Sequence, residues 1–117
     1  MFVIYFKSYH RYYNDITVYD NIKYTPSIFR AHKFATKYAV VNFIRDTLKE
    51  IYSKTNNFTL FEEYIVNFNN IVIYNISNIM LSELDDKYIK NNIKSTLEKY
   101  NFIYRKLKLK RNIRFSL

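Results

Sequence analysis

The sequence predicts an α+β domain: a small N-terminal antiparallel sheet, a hairpin or three strands, packed against about three helices. Before Pro26 the apolar residues come in short β-branched and aromatic runs; after Thr36 they recur with a period near 3.6 residues. Length is the third observation. The 117 residues suit one α+β domain over 1–109 with a basic C-terminal tail over 110–117, large enough to bury a core without disulfides.

Phe2-Val3-Ile4-Tyr5-Phe6 reads as the first strand and Ile16-Thr17-Val18-Tyr19 as the second, with Asn14-Asp15 and Asp20-Asn21 as turn residues. Pro26 closes this region, and Ser27 to Phe34 forms a third strand or a connector. The chain contains no glycine, so turns that need positive φ fall to Asn or Asp.

Thr36 is placed to cap a helix over 37–53. Val40, Phe43, Ile44, Leu48 and Ile51 form its apolar stripe, with charged residues between them. From Phe58, the pair Thr59 and Glu62 fits a capping box. Phe61, Tyr64, Ile65, Phe68, Ile71, Val72, Ile76 and Ile79 continue as one helical stripe. Val66, Ile73 and Tyr74 lie off it, and Ile71 to Ile76 would suit a strand; a helix is the favoured reading. Its broad apolar surface implies a central buried helix or a second face for a partner. Ser82 and Asp85 mark the next start. Leu84, Tyr88, Ile89, Ile93, Leu97, Tyr100, Tyr104 and Leu107 then keep the helical period. Continuing it would put Arg111 on the apolar stripe, so packing is expected to stop near Leu107 or Leu109, with 110–117 extended or mobile.

Charge is distributed unevenly. Residues 99–117 hold seven of the nineteen Lys and Arg and none of the ten acids, leaving the rest of the chain nearly neutral. Such a segment repels itself unless a polyanion neutralises it. Lys99, Arg105, Lys106, Lys108, Lys110, Arg111 and Arg114 suit about six phosphates, in a contact driven by counterion release. Phe102, Tyr104 and Phe115 are interleaved, as in surfaces that stack on unpaired bases. Lys7, His10, Arg11, Tyr12 and Tyr13, in the first strand and its turn, form a secondary candidate cluster.

Other chemistries are disfavoured. Without glycine there is no phosphate-cradling loop, dinucleotide fingerprint or nucleophile elbow. Without cysteine there are no disulfides and no thiolate metal sites. His10 and His32 lack the spaced ligands a metal site needs, and read as turn or surface residues. The pairs Glu62-Glu63 and Asp85-Asp86 sit where helix N-termini favour carboxylates. No run is long and apolar enough to cross a membrane. The expectation is a cytoplasmic protein that is not an enzyme, with no cofactor, no metal, no small-molecule substrate and no membrane contact.

Asn, Ile, Lys and Tyr make up 55 of the 117 residues, the signature of very AT-rich codons. Val3 and Ile4, then Thr25, Ala31, Lys33, Phe34, Thr36, Lys37 and Ala39, follow an order of strand, hairpin, Ala-x-x-Phe-x-Thr segment and helix. In this the first 45 residues resemble small accessory proteins encoded by phages and prophages of AT-rich bacteria. The resemblance implies a viral accessory protein working in a host cytoplasm and transfers no functional residue. Two functions are then expected in competition. One is binding of nucleic acid or a host nucleoprotein complex, as an inhibitor of a defence or transcription machine in the manner of anti-CRISPR proteins. The other is a structural protein that assembles with a second copy of itself through residues 60–79.

Overall fold

The computed structural model describes residues 1–16, 22–54, 57–77 and 80–116, with side chains for all of these but 16, 54 and 112–116. Its elements are β1 (Phe2–Phe6), β2 (Arg11–Ile16), β3 (Ile22–Thr25), α1 (Lys37–Lys54), α2 (Phe58–Phe68), β4 (Ile71–Ile76), β5 (Leu81–Glu83) and α3 (Lys87–Ser116). The α+β class holds, but the antiparallel sheet has five strands, in the order β3-β2-β1-β4-β5.

β1 is central. It pairs with β4 along its whole length, with Ile4 opposite Ile73, and with β2 only at Tyr5–Tyr12 and Phe6–Arg11. Beyond that point the segment before α1 fills the gap: Phe34 bridges to Phe2, and the His32 amide donates to the Tyr13 carbonyl at 2.9 Å. The preceding loop is closed by Lys33, whose ammonium donates to the carbonyls of Ile28, Phe29 and Ala31.

Strand alternation sends Ile4, Phe6, Tyr13 and Ile73 to one face. There they meet Val40, Ile44 and Leu48 of α1, Phe61, Ile65 and Phe68 of α2, and Ile89 and Ile93 of α3. Phe68 is wholly buried and touches Phe6, Phe43 and Tyr64 at ring separations of 5.8–6.1 Å. The opposite face carries Tyr12, Tyr5 and Tyr74 on three adjacent strands, with ring centroids 5.1 and 6.0 Å apart.

The expected boundaries differ in several places. Asn14 and Asp15, expected in a turn, lie within β2, and the third strand is Ile22–Thr25, before Pro26, which leaves Ser27 to Phe34 as the connector to α1. The second strand starts at Arg11, five residues earlier than its Ile16–Tyr19 signal, and Thr17 to Tyr19 lie outside the described residues. Residues 58–79 are not one helix: α2 ends at Phe68, Asn69 and Asn70 turn the chain, and Ile71–Ile76 is a strand. Two elements at different periods produced the broad apolar surface. Phe61, Tyr64, Ile65, Phe68 and Ile73 are all buried, and Val66 is the large apolar residue left exposed on α2. The caps also move. Asn57, not Thr59, caps α2 by accepting from the Leu60 amide, and Asp86, not Ser82, caps α3 by accepting from the Ile89 amide. Ser82 instead pairs with Asn75 in the sheet. Finally, α3 runs unbroken through Lys110 to Ser116, where an extended segment was expected.

Thr36 caps α1 as its position predicted, accepting from the Ala39 amide at 3.1 Å. The positive-φ turn residue among those described is His10 (φ 53°), rather than Asn or Asp, and its Nδ1 lies 3.2 Å from the Tyr5 hydroxyl. No helix among the described residues is long and apolar enough to cross a membrane.

Candidate nucleic-acid interface

α3 is thirty residues long, about 45 Å at 1.5 Å per residue, and it gives the molecule its 58 × 30 × 22 Å extents. Its core stripe runs from Ile89 through Ile93, Leu97, Tyr100 and Tyr104 to Leu107. Past Leu107 the side chains of Lys108, Leu109, Lys110 and Arg111 are exposed. Leu107 is the last apolar residue of the stripe, but packing continues beyond the expected end, with Arg111 against Phe58, and the backbone keeps its helical form.

The basic residues of this half-helix divide into two groups. Arg105, Lys106 and Lys110 are exposed and point away from the core stripe, while Lys99, also exposed, holds its ammonium 5.4 Å from the centre of the Tyr100 ring. Lys106 lies over the Phe102 ring at 4.6 Å, one helical turn back, and Phe102 is 53 % exposed. The second group is tied to the body. Lys108 sits over the Tyr104 ring at 5.6 Å, and Arg111 lies 4.5 Å from the centre of Phe58. Arg111 therefore does fall on the apolar stripe, where it covers an aromatic ring instead of ending the helix. Arg114 lies in the helical backbone, and its side chain, like that of Phe115, is outside those described.

Tyr104 is not a free stacking surface. Its hydroxyl donates to Glu62, its ring stacks on Phe58 at 5.7 Å, and the Glu62 carboxylate holds its pKa above the usual phenol value. The contact explains Glu62, which binds α3 rather than closing a capping box. In the same way Asp86 is occupied by the start of α3 and by an ion pair with Lys37. Lys37 and the Ile89 amide hold its carboxyl below the ordinary range.

The structure adds residues that the sequence did not single out. α1 and α3 enclose a groove with a cavity of about 490 Å³, lined by Arg45, Lys49, Tyr52, Ser53, Thr96, Lys99, Tyr100 and Ile103. Three cations and no carboxylate line it. Tyr52 is 47 % exposed; its ring meets the buried Tyr100 ring edge-on at 6.4 Å. Burial raises the Tyr100 pKa, with Tyr52 and Asp46 adding to the shift, so the phenol stays neutral. Lys99 thus belongs to two surfaces at once. In one direction it continues α3's exposed basic face toward Lys106 and Lys110, and in the other it meets Arg45 and Lys49.

The secondary cluster does not join this surface. Tyr13 is 5 % exposed and belongs to the core, where it packs on Phe34 and Phe43. Tyr12 is half-buried against Tyr5, and burial raises its pKa. Lys7, His10 and Arg11 are exposed at the hairpin turn. The Lys7 amide donates to Asn70, and the neighbouring Asn69 exchanges two amide hydrogen bonds with Asn101 at 2.8 and 3.0 Å. Asn101 follows Lys99 by two positions, roughly 200° around α3, so the hairpin adjoins the flank away from the groove. His32 packs its ring on Tyr13 and Phe34. Among the described residues no group of three His, Cys, Asp or Glu comes together in a way that would hold a metal ion.

Compared with protein-family models, curated proteins and solved structures, the chain matches none. Its reading rests on this geometry.

Proposed function

We propose that the protein is a non-enzymatic binder of nucleic acid, or of a nucleoprotein complex through its nucleic acid, with the second half of α3 as its contact surface. One observation carries this reading. Between Lys99 and Arg111 six cations stand on a single continuous helix with no carboxylate among them, and Phe102 is exposed in their midst. The helix already fixes their backbone, so binding orders only the side chains and less entropy is lost than with a flexible tail. Each phosphate they neutralise releases condensed counterions. For a phage accessory protein, such a surface suits occlusion of a host defence or transcription machine along its nucleic-acid path.

The test is capture of partners from a host lysate, with and without nuclease, followed by a salt titration of the retained complex. Retention that disappears after nuclease treatment and falls steeply with salt supports the reading. Retention of nothing but further copies of the protein, unaffected by salt, refutes it in favour of self-assembly.

A further inference from the structure

We infer that the groove between α1 and α3 is a nucleotide site for single-stranded nucleic acid, in which Tyr52 stacks on an unpaired base while Arg45, Lys49 and Lys99 hold the adjoining phosphates. The inference rests on the nucleic-acid reading above and goes further, because it names the form of the partner and a second surface on α1.

Three features of the groove select this ligand. Its lining is cationic: three cations from two helices converge on a cavity of about 490 Å³ that no acid lines, and the Asp46 carboxylate that bears on Tyr100 leaves them in excess. That favours a ligand with more than one negative charge. Its aromatic wall is available, since Tyr52 is 47 % exposed and is braced from behind by Phe61 and Tyr100, at ring separations of 5.8 and 6.4 Å. A braced ring loses little freedom when a base covers it. Its hydroxyls suit donors. Ser53 Oγ and Thr96 Oγ1 already give their protons to the carbonyls of Glu50 and Asn92, which leaves both oxygens as acceptors. They therefore match the amino, imino and sugar hydroxyl groups of a nucleotide better than they match its phosphate.

A duplex meets only part of this set. Its phosphates face outward and can reach Arg45, Lys49 and Lys99, but its bases are stacked and paired and cannot cover Tyr52. A single strand meets all of it. Lys99 is the junction: a strand that leaves the groove past it runs onto Lys106 and Lys110 along the same helix.

The experiment measures fluorescence anisotropy of a labelled oligothymidylate and of a duplex of equal length, each over a range of salt. Tyr52→Ala is expected to weaken single-strand binding by about 5- to 150-fold, the effect of losing one stacked base, and to leave duplex binding unchanged. Tyr52→Phe should restore single-strand affinity. Tyr52→Leu, which keeps apolar contact with Phe61 and Tyr100, should behave like the alanine variant and covers the case in which alanine unfolds the chain. Lys49→Gln should weaken both ligands and lower the single-strand salt slope by about 0.7. Equal loss on both ligands in the Tyr52 variants, or no loss on either, overturns the inference. Wild-type binding of single strand and duplex together with unaltered Tyr52 variants defeats the groove alone. Failure of the wild type to bind either ligand defeats the nucleic-acid reading with it.

Discussion

Replacing Arg105, Lys106 and Lys110 together by glutamine is the most direct probe of the α3 surface. The structure selects these three. All are exposed and directed away from the core stripe, whereas Lys108 and Arg111 lie over Tyr104 and Phe58. Reversing those two charges would disturb packing as well as binding. Each lost phosphate contact lowers the slope of log affinity against log salt by about 0.7 on single strands and about 0.9 on duplex, so three contacts remove roughly 2.1 to 2.7. Over a fourfold rise in salt, from about 50 to 200 mM, the wild type should therefore lose roughly 20- to 40-fold more affinity than the variant. Anisotropy titrations at four or five salt concentrations measure the slope, and thermal unfolding by circular dichroism shows whether the fold is intact. An unchanged slope with an unchanged melting temperature would refute the reasoning. The charges would then serve solubility and no ligand.

Four further outcomes follow from the packing. Phe68→Ala, at a wholly buried site among three aromatic rings, should cost about 3–5 kcal/mol and lower the melting temperature by roughly 12–20 °C in calorimetry. Ile93→Glu places a charge at a buried position of α3 and should abolish the cooperative transition. Asp86 has its carboxyl held low by Lys37 and the Ile89 amide, so its contribution is present above the ordinary Asp value and is lost as pH falls through the lowered one. Asp86→Asn should accordingly flatten the decline of stability at acid pH. Burial pushes the Tyr13 phenol up to about 12 and Tyr24 higher still. Tyrosinate absorbance should show these two ionising only as the protein unfolds, with their stability fully present below pH about 10 and lost as pH rises through the raised values.

The sequence was most legible where one local rule acted alone. Thr36 and the stripe that follows it specify α1 without help from the rest of the chain. β1 is equally plain, because five β-branched or aromatic residues in a row have few other uses. Residues 58–79 were harder, since a helix and a strand meet there with only Asn69 and Asn70 between them. Ile71, Val72 and Ile76 happen to fall in phase with α2's stripe, and the off-phase Ile73 and Tyr74 were the signal that the period had changed. Ser82 resembled a cap because Ser-x-x-Asp is a local pattern. Pairing with β4, which joins residues close together in sequence but through a reversal of the chain, claimed Ser82 for the sheet and left Asp86 to cap α3. For the candidate interface, the charge count singled out the basic residues of 99–117, and the structure corrects only the form of their backbone, which is helical to Ser116. Arg45, Lys49 and Tyr52 could not be singled out, because on α1 alone they are ordinary solvated positions. Only the packing of α3 beside them makes a groove.

The central position of β1 bears on how the chain folds during synthesis. Ile4 leaves the ribosome 69 residues ahead of its partner Ile73. At 5–20 residues per second that is a wait of roughly 3–14 s. β2 and the Phe34 bridge cover one edge of β1 early, but the other edge, which β4 pairs from Phe2 to Phe6, spends the interval unpaired. Such an edge is a template for pairing with other chains. High expression at elevated temperature should therefore drive this protein into aggregates formed by nascent or newly released chains, even though the finished sheet buries β1 between two neighbours.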